Sequence, residues 1–199
     1  STGVHRFADG LRPAADRGDA GQFVEDLRAS GGTDIERALV EALAEHREGR
    51  PQTIIFLTDG LATEGVTDTQ AIIDRVSAAA TADTRLFAFG IGDEVNTILL
   101  DTLAQGHRGT TNYVRPGQNI ETEVSDFYAK ISTPLLSDVA LDFGDVMVED
   151  TYPYPLPDLF AGSQLVLVGR YRDGGGTTVT LSGEVNGESQ RFEYGDVTF

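Results

Sequence analysis

Thr53-Ile54-Ile55-Phe56-Leu57-Thr58-Asp59-Gly60 is the stretch on which the fold turns. Its apolar run is too continuous for a strand with one wet face, and the Asp-Gly that closes it is a turn signal. It reads as a buried parallel strand with a carboxylate at its carboxyl end. Arg85-Leu86-Phe87-Ala88-Phe89-Gly90-Ile91-Gly92 reads the same way, and Thr110-Thr111-Asn112-Tyr113-Val114 supplies a shorter third strand. Around these runs, apolar residues at spacings of three and four predict helices over 21–28, 34–48, 69–80, 95–105 and 120–132. Alternation of strand and helix implies right-handed crossovers, with helices on both faces of the sheet. Residues 1–133 are therefore expected to form an α/β unit around a doubly wound, mostly parallel sheet.

After Pro134 the pattern changes. Val139 to Phe143, Gln164 to Val168, Thr177 to Leu181 and Gln190 to Tyr194 are strand-like runs separated by turn signals. Asp173-Gly174-Gly175-Gly176 is one such signal, and Asn186-Gly187 is a strong two-residue hairpin signal. Residues 134–199 thus read as a small all-β module. Pro153-Tyr154-Pro155-Leu156-Pro157 is read as a stiff connector between strands rather than a polyproline ligand.

Composition narrows the range of partners. At 199 residues with 40% apolar content, the chain has enough to bury one good core or two modest ones. No apolar run approaches the roughly 20 residues that span a bilayer, and the first residues lack the apolar stretch of a signal peptide, so direct membrane insertion of this segment is not expected. A net charge of -17 argues against nucleic acid and anionic lipid, whose binding needs clustered Lys and Arg. Cysteine is absent, which removes disulfides and thiolate metal sites and leaves the compartment open. Of the 15 basic residues only Lys130 is a lysine, a bias that fits either adaptation to concentrated salt or a G+C-rich genome.

In open α/β sheets, ligands bind beyond the carboxyl ends of the strands. Two loops there carry suitable groups. Ser30-Gly31-Gly32-Thr33-Asp34-Ile35-Glu36 is a glycine-rich loop entering a helix, in which Thr33 and Glu36 have the spacing of a capping box. Thr58-Asp59-Gly60 puts a carboxylate at the sheet edge, either as a ligand or simply to start a turn. Hard cations favour oxygen donors, so Thr33 with Asp59 makes a partial cation site. His5, His46 and His107 share no ligand spacing and are read as exposed helix or loop residues. Gly90-Ile91-Gly92 lacks the third glycine of a dinucleotide fingerprint, and neither a phosphate loop nor a nucleophile elbow occurs.

Gly31-Gly32-Thr33, Phe56-Leu57-Thr58-Asp59-Gly60 and Phe89-Gly90-Ile91-Gly92 match, in order, the motifs of von Willebrand factor type A domains, a resemblance that covers about residues 1–133. Residues 127–136 and 157–165 are similar to the sequence that follows this domain in the inter-alpha-trypsin inhibitor heavy chains, so the chain resembles that branch most. The family's metal-ion-dependent adhesion site takes an Asp-x-Ser-x-Ser motif after the first strand, a Thr from a second loop and an Asp from a third. Residue by residue, Thr33 and Asp59 carry over. The Asp-x-Ser-x-Ser motif is absent from the 199 residues, so the expectation is a fragment lacking the first strand and its helix.

The resemblance implies Mg²⁺, with Mn²⁺ or Ca²⁺ as alternatives, bound in the complete protein partly by Thr33 and, through water, by Asp59. It also implies a protein partner offering a carboxylate, an adhesion role without catalysis, and an extracellular or cell-envelope location. The heavy chains' Asp-Pro-His-Phe processing motif is absent, so attachment to glycosaminoglycan is not implied. Two rivals stand beside this reading: a metal-free scaffold, and an enzyme using Asp59 for phosphoryl transfer or hydrolysis. The enzyme is disfavoured because Lys130 lies far along the chain and no His neighbours either loop.

Overall fold

The computed structural model describes every residue except 1, 2, 14, 16, 29, 48–50, 132, 133, 161, 162 and 186. The three expected parallel strands are present as β1 (Gln52–Thr58), β2 (Thr84–Ile91) and β3 (Thr111–Val114), in the order β1-β2-β3. β1 runs in register with β2 from Gln52 opposite Thr84 to Thr58 opposite Gly90, and β3 pairs with the second half of β2. All three carboxyl ends therefore reach the same edge of the sheet.

Among the described residues, five helices accompany these strands: α1 (Arg17–Asp26), α2 (Ile35–Leu43), α3 (Thr69–Ala79), α4 (Thr97–Gly106) and α5 (Ile120–Ile131). One face of the sheet is covered by α2, α3 and α4. Ile35, Leu39 and Leu43 of α2, Ile72 and Val76 of α3 and Leu99, Leu100 and Leu103 of α4 pack with Leu86 and Ala88 of β2 into one buried cluster. These residues recur at spacings of three and four because only that stripe of each helix meets the sheet. The opposite face is aromatic. Phe127 of α5 meets Phe87 and Phe89 edge-on, with ring centroids 5.6 and 4.6 Å away. α1 starts four residues before the expected helix and buries no residue.

β2 is buried along its length, as its continuous apolar run requires. β1 departs from the expectation that it too is fully buried: Ile55 is 36% and Leu57 46% exposed, while Ile54 and Phe56 pack on the core. The reason is position. β1 has a neighbour on one side only among the described residues, and α5 covers the ring face over β2 rather than the adjoining face of β1.

The remaining strands are antiparallel: β4 (Pro134–Asp142), β5 (Met147–Tyr152), β6 (Leu159–Phe160), β7 (Val168–Arg172), β8 (Gly176–Val185) and β9 (Glu188–Thr198). They form a sheet ordered β6-β4-β8-β9 and a separate pair, β5-β7. The expected β8–β9 hairpin is present, with Val185 opposite Glu188; Asn186 of its turn lies outside the described residues. Residues 164–167, expected as strand, are not one, and the strand begins instead at Val168. β5 and β6 were not foreseen. Residues 153–155 form bends between β5 and β6, which agrees with a connector.

A ring contact and a network of ion pairs hold these strands against the parallel sheet. The Phe160 ring lies 5.8 Å from that of Phe87. Arg85, buried near the amino end of β2, donates from Nε to the fully buried Asp158 carboxylate, and its other arm lies 3.7 Å from Asp138. Asp138 pairs in turn with Arg108, and its own N–H donates to Asp158 (3.2 Å).

Candidate functional site

The loops bearing Thr33 and Asp59 lie at the carboxyl edge of the parallel sheet, and each is shaped by its own sequence. Thr58 is buried at the last position of β1. Its hydroxyl donates to the Gly60 carbonyl (3.2 Å) and accepts from the Gly60 N–H (3.4 Å), closing a turn around Asp59. Asp59 is left exposed at the tip of that turn. The turn reading and the ligand reading are therefore compatible, because Thr58 makes the turn and the Asp59 side chain is not needed for it.

Thr33 sits one residue before the cap of α2. The expected capping box of Thr33 with Glu36 is not formed. Asp34 is the cap, its carboxylate accepting the Arg37 N–H (3.1 Å), while Glu36 lies 3.5 Å from Arg75. A carboxylate at a helix N-terminus satisfies a free N–H and meets the positive end of the helix dipole, so Asp34 outcompetes the neighbouring hydroxyl. The Thr33 hydroxyl consequently has no hydrogen-bond partner among the described residues.

The two loops meet. The Thr33 N–H donates to the Thr63 hydroxyl (2.8 Å), and the Thr33 carbonyl accepts from the N–H groups of Thr63 (2.9 Å) and Glu64 (3.1 Å). The Gly32 N–H donates to Glu64 Oε1 (3.1 Å). Thr63 stands only four residues beyond Asp59, so these bonds bring the second and third loops to one place. No local signal marked Thr63 or Glu64 in the sequence, because their partners lie some thirty residues away.

The donor chemistry offered here is oxygen alone, a hydroxyl from Thr33 and a carboxylate from Asp59, which suits a hard cation and not a soft one. Among the described residues no group of three or more His, Asp or Glu is arranged to hold a metal ion. The histidines stand elsewhere: His46 and His107 are half-buried rather than exposed, and His107 lies 3.4 Å from the Ser77 hydroxyl. Gly90 of the Phe-Gly-Ile-Gly run is explained by packing, since a Cβ there would come within 2.7 Å of the Tyr113 ring. That ring's hydroxyl donates to Asp101 (2.9 Å), and burial together with the carboxylate pushes the phenol's pKa well up.

The family model for the von Willebrand factor type A domain matches residues 11–113, which include both loops and, but for Val114, all three parallel strands. The chain belongs to the von Willebrand factor type A domain family. Within curated proteins, this von Willebrand factor type A chain is similar to inter-alpha-trypsin inhibitor heavy chain H4 of Homo sapiens, at 30% identity over 97% of this chain and 22% of that protein. Heavy chain H2 of Sus scrofa is likewise 30% identical, over 77% of this chain and 17% of that protein. The chain thus spans about a fifth of the length of these relatives. The solved structure of a von Willebrand factor type A protein from Catenulispora acidiphila superposes with a TM-score of 0.64 at 19% identity, covering 92% of this chain and 51% of that one. The ArnB paralog VWA2 from Sulfolobus acidocaldarius gives 0.51 at 17% identity, covering 85% of this chain and 47% of that one. At such identities the likeness is one of fold. It supports the α/β sheet followed by antiparallel strands described above.

Proposed function

We propose that this chain is part of a protein-binding module, in which residues 1–133 present a partial metal-ion-dependent adhesion site and residues 134–199 form a β module that supports it. The boundary is placed where strand pairing changes from parallel to antiparallel. The observation that carries the functional reading is the junction of the Thr33 and Asp59 loops at the carboxyl edge, with the Thr33 hydroxyl not used by the fold. Mg²⁺, or Mn²⁺ or Ca²⁺ in its place, would be held there directly by the Thr33 hydroxyl and through water by Asp59. The ion supplies a positive centre that a partner's carboxylate completes. Thr33 and Asp59 supply the oxygen donors, and the role proposed for them is binding. The similarity to the heavy chains supports an extracellular or cell-envelope setting.

A metal-free scaffold is the second reading. It is favoured by the lack, among the described residues, of any group of three or more His, Asp or Glu arranged to hold a metal ion. Titration calorimetry with Mg²⁺ and Mn²⁺ separates the two. It is run on this chain and on a version extended at its amino end by a strand carrying an Asp-x-Ser-x-Ser loop, each with Thr33→Ala and Asp59→Ala. Binding in the extended protein that is weakened by Thr33→Ala and lost with Asp59→Ala is the expected result. Absence of binding in both lengths overturns the cation reading and leaves the scaffold.

A further inference from the structure

Hydrogen bonds join the Gly31-Gly32-Thr33 loop to the segment after Asp59 through two residues, Thr63 and Glu64. Thr63 makes a reciprocal pair with Thr33, its hydroxyl accepting the Thr33 N–H while its N–H donates to the Thr33 carbonyl (2.8 and 2.9 Å). Glu64 adds a second pair, its N–H donating to the same carbonyl and its carboxylate accepting the Gly32 N–H (both 3.1 Å). Both polar groups of the Thr33 backbone are thereby engaged by one loop, and the side chain is the part of Thr33 left over.

Packing closes around these bonds. A Cβ on Gly32 would lie 2.6 Å from both Thr63 Oγ1 and Glu64 Cγ, so the glycine is required by the proximity of these two side chains. Gly65, at φ +65°, is pressed against the Asp34 carboxylate that caps α2, within 2.5 Å of where its own Cβ would be. The segment from Thr63 to Gly65 is thus laid along the start of α2 and cannot shift without disturbing the cap.

We propose that Thr63 and Glu64 are positioning residues that latch the glycine-rich loop to the strand-end loop, so that Thr33 and Asp59 enter cation binding as one preset unit. This rests on the adhesion-type reading of the site. Neither residue needs to touch the ion. Groups that fix ligand orientation from behind typically change metal affinity 10- to 100-fold when lost, and ligands held in place before binding need no ordering when the ion arrives.

The test compares Thr63→Val, Thr63→Ser and Glu64→Ala with the unaltered protein and with Asp59→Ala. Mn²⁺ is titrated into the extended version described above, and amide hydrogen exchange is followed on this chain without metal. The latch predicts that Thr63→Val raises the Mn²⁺ Kd about tenfold or more, that Thr63→Ser restores it, and that Glu64→Ala falls between. In the metal-free chain, Thr63→Val speeds exchange of the Thr33 amide by roughly tenfold, the loss of one moderate hydrogen bond. Unchanged Kd in Thr63→Val while Asp59→Ala abolishes binding overturns the latch and spares the cation site. A weakened Kd with unchanged Thr33 exchange also overturns it, because Thr63 would then act as a ligand. No Mn²⁺ binding in the unaltered protein overturns the cation reading itself, and the exchange arm still decides whether the two loops are held together through Thr63.

Discussion

His107 shows how one side chain registers the environment that folding makes for it. It follows the end of α4 half-buried against Ser77, and burial holds its imidazole below the ordinary value of 6.5. The unfolded chain therefore takes up this proton first as pH falls. Unfolding free energy is unaffected above about 6.5 and declines as pH drops below it, because the unfolded state then binds more protons. Urea denaturation of the His107→Gln variant between pH 7 and about 5 is expected to show a shallower decline than the unaltered chain. A matching slope would show that another group is responsible. The sequence placed His107 on the surface because its spacing to other ligands was the only signal available, and that spacing carries no information about burial.

Among the elements, α2 carries the sharpest difference between what could be read and what forms. Thr33 and Glu36 fit a capping box, yet the cap is Asp34, one residue on. Both residue types cap well, and a one-residue frame is decided by the loop's tertiary contacts, here the pairing of Thr33 with Thr63. Asp34→Ala is expected to destabilise the fold by about 1 kcal/mol, while Thr33→Ala costs only a few tenths, the usual effect of a surface change. Thermal melts of the two variants check this ordering, and equal losses would restore the capping box. The three parallel strands and the helices α2 to α5 were legible because each lays a periodic or continuous apolar face against the sheet or its neighbours, whereas α1, which buries no residue, starts four residues before its expected position. β5 and β6 were not legible, since Met147-Val148-Glu149-Asp150-Thr151-Tyr152 buries too little to leave a pattern and Leu159-Phe160 is only two residues long, and β7 was placed too early because Val168-Gly169-Arg170-Tyr171-Arg172 is wholly exposed. The exposure of Ile55 and Leu57 on β1 escaped for the opposite reason: composition reports what a strand would bury, and its neighbours decide how much is covered.

For the whole molecule, the decisive contact is between parts far apart in sequence. Arg85 and Asp158 are separated by 73 residues and are both buried, with Asp138 and Arg108 extending the network. An arginine inside an apolar strand run and an aspartate after a proline carry no local mark of each other, so this junction was invisible to pattern reading. Removing one partner leaves the other charged and desolvated. Asp158→Ala is therefore expected to cost about 3–5 kcal/mol, and an Arg85→Met, Asp158→Leu double variant is expected to recover a large part of it. Guanidinium denaturation of the single and double variants measures both; additive losses would mean that the two charges are not coupled. The Asp59 loop follows β1, whose Thr58 stands opposite Gly90 near the carboxyl end of β2, and the Arg85–Asp158 junction stands near the amino end of β2, about six residues or roughly 20 Å away at the rise of a strand. Tension between a captured partner and the antiparallel strands would thus pass from β1 to β2 and load the ladder between them in shear, with the bonds resisting together rather than unzipping one after another.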